Sequence, residues 1–101
     1  MAAEALARDT VRERLRELPG WSLAEDGITR SYRLASHFAA TAMVVHVAQI
    51  QEELNHHSQL TLGYNTVSLN VNTHDADGGI TEKDLELARR VEAAAAGHAA
   101  E

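Results

Sequence analysis

The sequence predicts an α+β fold: a two-layer sandwich with a four-stranded antiparallel sheet covered by three helices, in the order α-β-β-α-β-β-α. Three observations predict it. Apolar residues recur at helical spacing in three separate stretches. Residues 65–73 alternate, with Val67, Leu69 and Val71 on one side and Thr66, Ser68, Asn70 and Asn72 on the other. The strand-like segments come in pairs with short connections, which favours antiparallel pairing.

The first helix is expected over residues 3–18. There Ala7, Val11, Leu15 and Leu18 share a face, and Pro19-Gly20 stops the pattern. Residues 21–24 read as a short strand and Asp26-Gly27 as a hairpin signal. The returning strand spans residues 28–34, with Ile28, Tyr32 and Leu34 on one face. Ser36 suits the N-cap of a second helix. Its apolar side is Ala40, Met43, Val44, Val47, Ala48 and Leu54, and it runs out near Asn55. Residues 59–63 and 65–73 supply the second strand pair, and a loop at residues 75–79 ends it. Thr81 then caps a third helix carrying Leu85, Ala88, Val91 and Ala95. Four short strands leave edges that a second copy can cover.

The 101 residues predict a single domain, 1–101. So small a core leaves little room for a closed cavity, so a ligand site is expected in an open cleft or one completed by a second subunit. The absence of cysteine excludes disulfides, thiolate metal sites and thiol nucleophiles, and suits a reducing cytoplasm. No segment approaches ~20 consecutive apolar residues, and residues 1–18 lack the apolar run of a secretory signal. A cytoplasmic protein with no membrane role is expected. The net charge of −6 argues against direct nucleic-acid binding. The interleaved charges of residues 8–16 read as a solvated helix face.

Six histidines are present. His37, His46 and His98 have no distinctive context. Glu52, His56 and His57 fall at the end of the second helix. Residues 52 and 56 are four apart, which on a helix gives them one face, so Glu52 is expected to hold the His56 imidazole. His57 then points about 100° away. His74 follows the polar-faced strand, where a rigid scaffold meets a loop. Eliminating water needs one group to protonate a departing hydroxyl and another to accept a proton, and imidazoles suit both tasks near neutrality. Asp84 reads as the reciprocal half of a capping box with Thr81. Trp21 reads as a core residue.

Glu52-Glu53-Leu54-Asn55-His56-His57-Ser58, then Tyr64, Thr73-His74, Gly79-Ile80-Thr81 and Asp84 together resemble the signature of the pterin-4a-carbinolamine dehydratases. Leu18-Pro19-Gly20-Trp21 and Ile28-Thr29-Arg30-Ser31-Tyr32 resemble that family as well. The resemblance implies the fold above and a cofactor-independent dehydratase acting on a 4a-hydroxytetrahydropterin, in support of tetrahydrobiopterin recycling. It implies a homodimer with a continuous sheet, or a homotetramer made from such dimers. It makes His56 and His74 general acid/base candidates, with His57 holding the pterin ring. Glu52, Thr73, Asp84 and Trp21 would line or organise the site, with no metal. Two departures stand out: Ser58 replaces a usual proline, which is expected to relax the chain, and Gln51 replaces a small apolar residue.

Two other classes compete. A non-enzymatic protein-binding module, a dimerisation cofactor or assembly chaperone, would use helix and sheet surfaces of the same fold and not the histidines. A three-histidine zinc site is disfavoured, because adjacent diverging imidazoles chelate one ion poorly and no helical His-x-x-x-His spacing occurs.

Overall fold

The alternating stretch of residues 65–73 becomes the centre of the sheet. The computed structural model describes residues 4–101. In chain order the elements are α1 (Arg8–Leu15), β1 (Ser22–Ala24), β2 (Gly27–Arg33), α2 (His37–Leu54), β3 (Gln59–Leu62), β4 (Thr66–Val71) and α3 (Glu82–Gly97), with one 3-10 turn at His74–Ala76. The strands lie in the order β1-β2-β4-β3, and every pairing is antiparallel. The predicted α+β class and element order are those observed.

Register decides which side chains meet the helices. Ile28 pairs with Val71, Tyr32 with Val67 and Leu60 with Leu69. Ile28, Tyr32, Val67, Leu69 and Val71 are buried in one core with Val11, Leu15, Met43, Val47, Leu85, Leu87 and Val91 from the three helices. The other face presents Ser31, Ser68, Asn70 and Gln59. It carries the groove described below.

Several boundaries differ from the sequence reading, each for a local reason. The first helix begins only at Arg8, because Ala7 is extended, with φ −62° and ψ 145°, and the Leu6 N–H donates to the Ile80 carbonyl at 2.7 Å, outside the helix. Ala7 is therefore exposed and not part of the buried face; residue 3 lies outside the described residues. The hairpin loop is Glu25-Asp26, one residue earlier than expected, since Ala24 pairs with Gly27. Gly27 is buried where a β-carbon would stand 2.0 Å from the Asn70 side chain and 2.8 Å from the Val71 carbonyl, so close approach of β2 to β4 demands glycine there. In α2, Ala48 is exposed; Ile50 and Gln51 complete the buried stripe with Ala40, Met43 and Val47.

The caps follow expectation. Ser36 Oγ accepts from the Ala39 N–H at 3.0 Å, and Thr81 and Asp84 form the capping box of α3. A two-pronged Arg14–Glu82 pair, at 2.7 and 2.8 Å, ties α1 to the first turn of α3 and holds the Glu82 carboxyl below its ordinary range. Among the described residues no helix is long and apolar enough to cross a membrane.

Candidate functional site

The site is built where α2 ends. Asn55 takes the left-handed conformation, with φ 50° and ψ 45°. Its N–H donates to the Glu52 carbonyl at 3.2 Å, and the His56 N–H to the Gln51 carbonyl at 3.0 Å. These two bonds close the helix in the Schellman manner. The chain therefore leaves helical geometry before His56. The expected Glu52–His56 pairing does not form, because a four-residue spacing aligns two side chains only while the helix continues. Glu52 instead meets His57, with Oε2 2.6 Å from Nε2.

His56 turns inward to Asp84. Its Nε2 lies 2.6 Å from Asp84 Oδ1, and both residues are buried, Asp84 completely. The second oxygen, Oδ2, accepts from the Thr73 hydroxyl at 2.7 Å and the Thr81 N–H at 2.8 Å. The Thr73 and Thr81 hydroxyls also meet at 2.8 Å. Capping thus accounts for only one of the bonds Asp84 makes. An ionised carboxylate only accepts, so Nε2 carries the hydrogen in both His56 and His57, leaving Nδ1 as the basic nitrogen of each neutral ring.

A parallel emerges between two dipeptides. In His56-His57 and in Thr73-His74 the first residue is buried and bonded to Asp84, and the second is exposed. Thr73 is further held by a bridge to Gly79, its N–H donating to the Gly79 carbonyl at 3.0 Å. One buried carboxylate thus anchors the inner member of each pair. The outer members, His57 and His74, line a single groove of about 370 Å³ with Asp26, Ser58, Gln59, Asn70 and Asn72. That volume falls in the range of small-molecule sites.

Not every expected residue reaches the groove. His56 borders a separate shallow depression with Leu54, Glu82, Lys83 and Glu86. Trp21 is buried elsewhere, its Nε1 donating to Glu92 Oε1 at 3.0 Å. Thr73 and Asp84 stand behind the wall as anchors. His37 sits beside Tyr64, Nδ1 2.7 Å from its carbonyl, and His46 meets His98 at 2.8 Å, both away from the groove. Among the described residues no cluster of three or more His, Cys, Asp or Glu side chains is arranged to hold a metal ion.

Sequence reasoning missed part of the groove wall. Asn70 and Asn72 were recognisable only as the polar side of an alternating strand. Asp26 reaches the groove because the hairpin folds over them: Asn70 Nδ2 donates to Asp26 Oδ1 at 3.1 Å, and Asn72 Nδ2 to the Asp26 carbonyl at 2.7 Å. That contact spans 44 residues or more, and no local pattern announces it.

The fold and this groove define a small α+β protein with a paired-histidine cleft on the polar face of its sheet. A model of the pterin 4 alpha carbinolamine dehydratase family matches residues 4–94. The chain is 69% identical to a Streptomyces coelicolor protein over 100 residues, 99% of each. It is 44% identical to one from Chloroflexus aurantiacus over 87 residues, 86% of this chain and 92% of the other. The names of both assign them provisionally to pterin-4-alpha-carbinolamine dehydratase. A crystal structure of a transcriptional coactivator/pterin dehydratase from Brucella melitensis superimposes with a TM-score of 0.82 at 32% identity, covering 88% of this chain and 96% of that one. A pterin dehydratase-like protein identified as a RuBisCO assembly factor in the alpha-carboxysome shares the fold, with a TM-score of 0.58 at 20% identity, over 72% and 83% of the two chains. The chain belongs to the pterin-4-alpha-carbinolamine dehydratase family.

Proposed function

We propose that the groove binds a 4a-hydroxytetrahydropterin and that His57 and His74 move the protons of its dehydration. The observation that carries this reading is the placement of both imidazoles on one groove of ligand size. One ring, as imidazolium, protonates the leaving 4a-hydroxyl. The other, as neutral imidazole, accepts the ring-nitrogen proton. The carbon–oxygen bond breaks, a carbon–nitrogen double bond forms, and water and the quinonoid dihydropterin leave. Nothing is oxidised or reduced, so the step needs no cofactor. Glu52, on the His57 Nε2–H, orients the ring and fixes its tautomer.

The division of labour differs from that implied by resemblance. His56, His57 and His74 remain the site histidines, but His56 serves as a buried support held by Asp84, with Thr73 in the same role for His74. Trp21 supports the scaffold through Glu92. The protein acts as one domain, 1–101, in the cytoplasm as a homodimer or homotetramer, supporting tetrahydropterin recycling. Exposed Phe38, Val45, Leu62 and Tyr64 supply apolar surface for assembly.

Stopped-flow dehydration of a 4a-hydroxytetrahydropterin, measured above its spontaneous rate, tests the reading. His57→Ala and His74→Ala should each lower the catalysed rate about 10²- to 10⁴-fold with unchanged melting. Full rates in both variants would remove the assignment. The same exposed apolar side chains favour a second reading, a non-enzymatic assembly module, the kind of role for which the pterin dehydratase-like RuBisCO assembly factor is identified. It predicts that surface substitutions matter and histidine substitutions do not.

A further inference from the structure

We infer that Gln51 is a positioning residue that holds the His56-His57 dipeptide from both sides. Gln51 is buried, at 5% exposure, which is unusual for a glutamine. Its main-chain carbonyl accepts from the His56 N–H at 3.0 Å. Its side-chain Oε1 accepts from the Ser58 N–H at 2.9 Å and from the Ser58 hydroxyl. One residue thus fixes the backbone immediately before and immediately after His57. The next residue, Glu52, holds the His57 ring itself. Just past α2 the chain is thus tied by side-chain hydrogen bonds at the position where the resemblance leads one to expect a proline.

The restraint has a physical equivalent. A proline at position 58 fixes φ covalently and has no N–H that needs an acceptor. Gln51 and Ser58 therefore form one unit, in which either a buried amide acceptor or a pyrrolidine ring sets the exit of the dipeptide. Removing the acceptor alone leaves a half-buried donor pair without a partner and frees the chain. Losing the acceptor while fixing φ removes both problems.

The test uses the full chain and the variants Gln51→Met, Ser58→Ala, Gln51→Met with Ser58→Ala, and Gln51→Met with Ser58→Pro. Methionine keeps the volume and lacks the amide oxygen. For its kinetic readout the inference rests on the dehydratase reading. Gln51→Met should lower kcat on the order of tenfold, a displacement effect at the groove histidine, with a smaller change in KM. Ser58→Ala keeps the N–H bond and should lose less. The Gln51→Met and Ser58→Ala losses should not multiply, because they remove the same contact. Adding Ser58→Pro to Gln51→Met should recover most of the lost rate, which a general packing defect would not allow.

The His57 ring signals in an NMR spectrum provide an independent readout. They should broaden or shift in Gln51→Met and return in the proline double variant. Should Gln51→Met not fold, Ser58→Ala reads the same contact from its other end. A wild-type protein that dehydrates nothing overturns the dehydratase reading, and the ring signals then decide the inference alone. Multiplying losses, no rescue by proline, or His57 signals unchanged in Gln51→Met would overturn the inference itself.

Discussion

Helix α3 carries two anchoring carboxylates, Asp84 and Glu92, and they do different jobs with similar chemistry. Each gathers donors from distant segments. Asp84 takes His56, the Thr73 hydroxyl and the Thr81 N–H, and is fully buried. Glu92 takes the Trp21 indole at 3.0 Å and the Tyr32 hydroxyl at 2.6 Å, with Arg30 nearby at 3.6 Å, and remains about a third exposed. The difference lies in what stands one residue beyond the anchored group. Beyond His56 and Thr73 come the two groove histidines. Beyond Trp21 and Tyr32 come strand residues with no part in the groove. Of the two carboxylates, only Asp84 holds residues whose chain neighbours line the groove.

Breaking the two anchors separates the roles. Asp84→Ala strands an imidazole N–H, a hydroxyl and a backbone N–H in the core, and should cost about 3–5 kcal/mol of stability in denaturant titrations. Dehydration should also collapse at temperatures where the variant is still folded, because both outer histidines lose their reference point. Glu92→Ala should cost about 1–2 kcal/mol, since its site is partly wet, and leave kcat and KM unchanged. Equal catalytic losses in the two variants would erase the distinction.

A smaller effect sharpens the second anchor. The Tyr32 hydroxyl is pushed well above its ordinary pKa, first by burial and then by its hydrogen bond to Glu92. The native state keeps this proton at pH values where the unfolded chain has released it. Its stabilising contribution is therefore complete below the ordinary tyrosine value, about 10, and is lost as pH rises through the higher folded value. Stability measured between pH 9 and 11 should fall with pH. Tyr32→Phe should flatten part of that slope while leaving the dehydration rate near neutrality intact. An unchanged slope would mean that the ionised hydroxyl is tolerated in the fold.

The same contrast explains what the sequence could and could not disclose. Val67, Leu69 and Val71 alternate within one strand, and Ser36 and Thr81 act within a few residues of themselves, so local patterns sufficed for them. Asp84 was visible as a cap because its partner Thr81 is three residues away. Its bond to His56 spans 28 residues and depends on Asn55 ending α2 in a left-handed turn. That turn also transferred Glu52 from His56 to His57. Trp21 lies close in sequence to the hairpin that reaches the groove, yet its ring turns to Glu92, 71 residues away. The motif located the histidines, and tertiary contacts decided which of them line the groove.

Titrating the protein with a stable dihydropterin while following the ring signals of all six histidines tests the shared groove most directly. The signals of His57 and His74 should move together along one saturation curve, with His37, His46 and His98 unmoved. Movement of only one of the two, or of neither while the outlying histidines respond, would contradict a common cleft.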